Sequence, residues 1–203
     1  MRNHAANGHR RIGRCFGVRC RLWQGTDGLR AFTTEGARRL SVIEQPRPVP
    51  AVRLIDMQGR QLALADQIGR AVVVEFIYAT CPTICVALGE SFAKLRDQIR
   101  TDGLANQVRL ISISFDLRDS PQALDDYAEA HGADGRIWIT SRPENEQALR
   151  ALLKTFGVTV VPDGAGGFVH NVALHVVDRQ GRLIAIFDLG EEAQVLTAIR
   201  GQR

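Results

Sequence analysis

The sequence predicts an α/β protein with a central mixed sheet flanked by helices and preceded by a hairpin. Three observations carry that expectation. Apolar runs of strand length alternate with stretches of helical periodicity, and Gly, Pro or capping residues stand at the switches between them. The third observation is chemical: Cys81 and Cys85 fall where the first long strand hands over to a helix.

Each element has its own signal. Glu44-Gln45-Pro46-Arg47-Pro48-Val49-Pro50 is a stiff extended linker, because three prolines in five residues exclude helix. Residues 52–56 and 61–64 flank Met57-Gln58-Gly59-Arg60 as a hairpin. The apolar run 71–78 suits a central strand buried on both faces. Leu88, Phe92, Leu95 and Ile99 then recur at helical spacing until Asp102-Gly103. A second core strand covers 108–115, and Ser120-Pro121 opens a helix that runs to about His131-Gly132. A third strand is expected over 136–140 and a third helix over 144–156, stopped by Gly157. Residues 168–177 and 182–188 read as paired strands around Asp178-Arg179-Gln180-Gly181, and 191–200 as a closing helix with acids first and Arg200 last. With cysteines behind the first core strand, this order points to a thioredoxin-like fold.

The 203 residues suit one domain plus a tail. Hydrophobic content of 45% and charged content of 24% are those of a globular protein. Nine arginines against Asp27 and Glu35 give residues 1–40 a charge of +7, so the remainder carries −3 of the total +4. Residues 1–44 are therefore expected as a basic, poorly ordered tail and linker, and 45–203 as the folded domain. A mildly acidic domain argues against nucleic acid as a partner. No stretch approaches the ~20 apolar residues that span a membrane, and no apolar signal core is visible. Cys15 and Cys20, set among Arg and Gly, read as incidental.

Cys81-Pro82-Thr83-Ile84-Cys85 is a different matter. A helix N-terminus favours thiolate over thiol, Pro82 suits a first turn, and positions four apart share a face. The two sulfurs can hold a disulfide or a soft metal ion. Packing as two structural cysteines is the bland alternative, opposed by the accessible loop position of Cys81. Among the histidines, His4 and His9 belong to the tail, and His131 reads as a solvated helix end. His170 and His175 are read as one strand at odd spacing, so they face opposite ways. His175 is then assigned to packing, while His170, after Asp163-Gly164-Ala165-Gly166-Gly167, is the candidate ligand.

Tyr78-Ala79-Thr80-Cys81-Pro82-Thr83-Ile84-Cys85 resembles the signature of the Sco/SenC family, thioredoxin-fold proteins that deliver copper to cytochrome c oxidase. His170, the run Asn171-Val172-Ala173-Leu174-His175-Val176-Val177 and Asp178-Arg179-Gln180-Gly181 keep the register of that family's later histidine. The resemblance covers about residues 45–200 and implies Cys81, Cys85 and His170 as copper ligands. Phe115-Asp116-Leu117-Arg118-Asp119-Ser120-Pro121 resembles the family's acidic-arginine segment but is one residue shorter, so Asp116 carries over weakly. Val169 stands where the family usually has Asp, which removes an outer-shell carboxylate and is expected to alter metal affinity.

The resemblance implies a monomeric metallochaperone for the copper A centre of the oxidase, handling Cu(I) and Cu(II). Its partners would be the copper-bearing subunit and other copper carriers or thiol reductants. Thiolates suit Cu(I) and imidazole suits both states, whereas structural zinc usually takes four protein ligands. The alternative is a thiol–disulfide reductase that uses Cys81 and Cys85 as a redox pair to keep a copper site reduced. A thiol peroxidase has only the fold in its favour. The family implies the periplasm or cell envelope, at the outer face of the inner membrane. The Arg-rich start does not match that location, so residues 1 to about 23 are expected not to be the natural mature terminus.

Overall fold

The structure, a computed structural model, describes residues 33–81 and 84–202. The chain divides into two compact units, residues 1–40 and 41–203. Expectations for Cys15, Cys20 and the start of the chain lie outside the described residues. Where the tail was expected to lack order, a helix, α1, occupies Thr34–Glu44. Thr33 Oγ1 caps it by accepting from the Gly36 amide at 2.9 Å. Glu35 accepts from Arg38 and Arg39, at 2.9 and 3.0 Å. Such polar pairs leave no apolar periodicity to read.

The second unit is built on one eight-stranded sheet. Its strands are β1 (Arg47–Pro48), β2 (Arg53–Asp56), β3 (Gln61–Ala63), β4 (Ala71–Ile77), β5 (Val108–Ser114), β6 (Trp138–Pro143), β9 (Leu174–Val177) and β10 (Arg182–Phe187), in the order β1-β10-β9-β4-β5-β6-β2-β3. A separate ribbon pairs β7 (Val160–Pro162) with β8 (Phe168–His170). The helices are α2 (Ile84–Thr101), α3 (Pro121–His131), α4 (Glu146–Phe156) and α5 (Glu192–Arg200). β4, β5 and β6 run parallel, joined through α2 and α3, while β9 lies antiparallel to β4. The expected mixed sheet and hairpin are thus both present.

Alternation along β4 sorts the two faces. Phe76 packs edge-on against Phe156 of α4, with ring centroids 5.3 Å apart, and against His175 at 5.7 Å. Glu75 points the other way, in register with Ser112 of β5. Trp138 joins that face, donating to Ser112 Oγ at 2.7 Å while its ring packs on Phe92 of α2. The helix-period residues Leu88, Phe92, Leu95 and Ile99 are all fully buried.

Three boundaries differ from expectation, each because side chains bond the backbone. Asp134 Oδ1 collects the amides of Arg136, Ile137 and Trp138, at 3.0, 2.7 and 3.0 Å. That turn delays β6 to Trp138, and pairing with β2 carries it on to Pro143. Asn145 caps α4 by accepting from the Ala148 amide, so the helix begins at Glu146. The late strand is two strands. Asn171 accepts from the Thr159 amide at 2.7 Å and donates to the Gly157 carbonyl at 3.0 Å, ending β8 before β9 begins.

Two hairpins close with the same turn. Asp56 Oδ1 accepts from the Gln58 and Arg60 amides and Oδ2 from Arg60 Nε. Asp178 does the same with the Gln180 and Arg182 amides and Arg182 Nε. Each turn needs a glycine in the left-handed region, Gly59 at φ 74° and Gly181 at φ 77°. Asp178→Ala strands two amides beside a buried position and is expected to lower stability by about 2 kcal/mol. Urea unfolding of Asp178→Ala and Asp56→Ala checks this, and an unchanged midpoint in both would show that the turns close without them.

Candidate functional site

The site grows from the end of β4. Past Ile77 the chain turns, and the Cys81 amide donates to the Tyr78 carbonyl at 3.1 Å. Ala79 within that turn donates to Asp119 Oδ2 at 2.8 Å, and Ser114 Oγ at the end of β5 donates to the same oxygen at 2.5 Å. Asp119 is buried, so this carboxylate pins the cysteine loop to β5.

Cys81 and Cys85 are brought together as the spacing predicts. The Cys85 amide, in the first turn of α2, donates to Cys81 Sγ at 3.4 Å. The sulfur thus takes one of the amides that a helix start leaves unpaired, which favours its ionised form. The two thiols are not equivalent. Cys81 is half-buried, whereas Cys85 is 1% exposed. Burial pushes the Cys85 thiol well up, and its hydrogen bond to Cys81 adds to that. The outer sulfur is the one that meets reagents, while burial favours the protonated form of the inner one behind it.

Glu75 lies in the wall below, fully buried, with Oε1 accepting from Ser112 Oγ at 2.5 Å and Oε2 without a partner among the described residues. Burial pushes its carboxyl up to about 8, so it is largely neutral at neutral pH. Tyr127 of α3 donates to the Cys85 carbonyl at 3.1 Å. Neither residue enters the sequence reading, although an acid inside an apolar run was a signal for Glu75.

His170 sits at the same end of the sheet. Its ring packs on Phe115, centroids 4.9 Å apart, and Phe115 joins Tyr78 and Phe168 in an aromatic cluster. Both ring nitrogens are buried and meet no hydrogen-bond partner among the described residues. Burial lowers its pKa, with the Asn171 main chain opposing. Alternation along β8 puts Phe168 and His170 on one face and Val169 on the other, 64% exposed. The side chain at 169 therefore points away from His170. A cleft of about 540 Å³ lies between the β7–β8 ribbon and the loop, lined by Tyr78, Thr80, Asp163 and Phe168 among others.

Asp116 forks Arg118, which holds its carboxyl below the usual range, and the guanidinium lies 5.8 Å from the Phe168 ring centroid. Among the described residues, no three His, Cys, Asp or Glu side chains gather closely enough to hold a metal ion. His170 is thus near the cysteines through the aromatic cluster but not joined to them. The donor set nonetheless suits a soft ion, since two sulfurs and a buried imidazole stand at one end of the sheet. His175 is a packing residue, buried between Phe76 and Phe156 with Nδ1 3.2 Å from the Val74 carbonyl oxygen. His131, expected in solvent, is half-buried against Tyr127 at 4.4 Å.

The SCO1/SenC family model matches residues 43–200. A curated protein of Stutzerimonas stutzeri, described as a candidate copper-binding protein, is 27% identical over 147 residues, 70% of each chain. A SCO1/SenC family lipoprotein from Bacillus anthracis aligns with a TM-score of 0.71 at 18% identity, over 79% of this chain and 98% of that one. Copper-bound ScoI of Bradyrhizobium japonicum aligns with a TM-score of 0.63 at 21% identity, over 75% of this chain and 99% of that one. BsSco, a cytochrome c oxidase assembly protein in which a disulfide switch was identified, aligns with a TM-score of 0.67 at 20% identity, over 77% and 93%. The fold is that of these proteins, as the thioredoxin-like expectation required.

Under native conditions, an alkylating reagent is expected to modify Cys81 to completion before Cys85 reacts, as read by peptide mapping. Equal rates would contradict the asymmetry of the pair. Glu75 gives a pH signature. Its neutral form stabilises the native state fully below its ordinary value near 4.5, and that contribution is lost as pH rises through about 8. Glu75→Gln should flatten this fall in the urea midpoint; the same slope in parent and variant would assign it to another group.

Proposed function

The chain belongs to the SCO1/SenC family, and on that premise we propose a copper-binding assembly factor for cytochrome c oxidase. In this reading Cys81, Cys85 and His170 hold the copper, and the cargo passes to the copper A centre of the oxidase's copper-bearing subunit. The observation that carries it is the donor set: a sulfur at a helix start, a second sulfur behind it, and an imidazole whose nitrogens are both buried and meet no hydrogen-bond partner among the described residues. Burial keeps that imidazole neutral, the form that ligates. A copper-binding relative and a copper-bound solved structure of the same fold support the cargo. The β7–β8 ribbon then carries His170 toward the sulfurs when copper arrives, and an open three-ligand site releases the ion by ligand exchange.

Residues 45–203 form the working domain in this proposal, with 1–44 as tail and linker, acting as a monomer at the outer face of the inner membrane. No described helix is long and apolar enough to cross a membrane. The Bacillus anthracis relative is a lipoprotein, which supports an envelope location. A second reading, thiol–disulfide reductase, draws on the unequal exposure of the two thiols, which suits an attacked and a shielded sulfur.

Reduced protein is expected to bind one copper per chain, measured with Cys15 and Cys20 replaced by Ser. Cys81→Ser, Cys85→Ser and His170→Ala should each lose it, while His175→Ala retains it. Undiminished binding in Cys85→Ser would sink the ligand set. Loss of copper in His170→Ala with thiol exchange intact separates the two readings.

A further inference from the structure

A second cavity, about 220 Å³, flanks the cysteine loop on the side of α3. Thr80 and Cys81 form one wall, and Asp126, Tyr127 and His131 the other. His170 does not line it, and the copper reading leaves it without a task.

The His131 ring is held in place from two sides. One face packs on Tyr127, and a Cβ at Gly89 of α2 would overlap Nδ1 and Cγ. The ring therefore sets its Nδ1 edge on a glycine of α2, while His131 also lines the cavity. Burial lowers its pKa, with Glu90 of α2 opposing, so the imidazole is poised to accept a proton at neutral pH. The other ionisable and charged groups around it are Asp126 and Tyr127 on its own helix, Cys81 across the cavity, and Arg96 of α2, which donates to the adjacent Gly132 carbonyl.

We propose that this cavity admits the cysteine thiol of a dithiol protein or peptide that reduces the Cys81–Cys85 disulfide, with His131 as the general base. The inference rests on the redox pairing of those cysteines. Attack must fall on Cys81, because Cys85 is 1% exposed. The entering thiol gives its proton to His131, and the resulting thiolate bonds to Cys81 Sγ as the Cys81–Cys85 bond breaks. Cys85 leaves with the electron pair and takes a proton from solvent. The reductant's second thiol then ionises, attacks the mixed disulfide and releases Cys81 as thiolate. Two electrons pass to the cysteine pair, the reductant leaves as its disulfide, and His131 returns its proton to solvent.

The test uses the full chain oxidised to the Cys81–Cys85 disulfide, reduced by a small dithiol or by a water-soluble phosphine, which needs no proton removed. His131→Gln should slow reduction by the dithiol roughly 10-fold at neutral pH, with the gap closing above the thiol pKa of ~8.5. Phosphine reduction and copper stoichiometry should not change. Free imidazole should restore the dithiol rate of His131→Ala. Equal dithiol rates in parent and His131→Gln overturn the proposal, as does equal slowing by both reductants, which would mean that His131 only shapes the loop. Loss of copper in His131→Gln would also overturn it. If no Cys81–Cys85 disulfide forms, the redox reading fails, and this one with it.

Discussion

The buried carboxylate of Asp119 is the tie on which the functional end of the molecule depends. It accepts from the Ala79 amide and from Ser114 Oγ, so the chain leaving β4 is fixed to the end of its neighbour β5 before any cysteine is reached. A carboxylate out of water is costly unless hydrogen-bonded, and here donors from two segments meet it. With Ala79 held, the turn at Tyr78 delivers Cys81 to the start of α2, where a helix amide meets its sulfur. The same segment brings Phe115 under His170. One carboxylate therefore positions both halves of the proposed ligand set.

The two faces of the sheet divide the work. Toward α4, β4 offers Val74 and Phe76, and the space is filled by rings, including that of His175. Toward α2, the chain of hydrogen bonds from Trp138 through Ser112 to Glu75 runs beneath the cysteines. Placing an acid there, with one oxygen that meets no donor among the described residues, costs stability that an apolar residue would not. Native proteins concentrate such exceptions at working sites, and this one lies beside the residues proposed to carry the chemistry.

Much of this was legible in the chain. The cysteine pair, the buried face of α2, the capped start of α3 and the hairpin turn at Gly59 all follow from local residues whose meaning survives folding. The parts that were not legible share a cause. Asp134, Asn145 and Asn171 move element boundaries by bonding to backbone, and their targets are visible only once the neighbouring segment is in place. His170 and His175 looked like one strand because nothing in the apolar pattern marks Asn171 as a break. His131 looked solvated because the glycine that receives its ring is on another helix, 42 positions earlier in the chain.

The paired Asp-Gly-Arg turns act as register locks at two places in the sheet. A strand that slips by one residue exchanges its inward and outward side chains, and the whole segment behind it is rotated with it. For β9 that slip would turn His175 out of its ring of aromatics and drag the β7–β8 ribbon away from the cysteine loop. Asp178 fixes the turn between β9 and β10 from inside five residues, and a bulge between Leu183 and Ala185 then sets the shifted register in which His175 pairs with Ile186. The frame can therefore be proofread before the site is complete, which leaves the ribbon bearing His170 free to vary or to move without risk to the sheet that carries it.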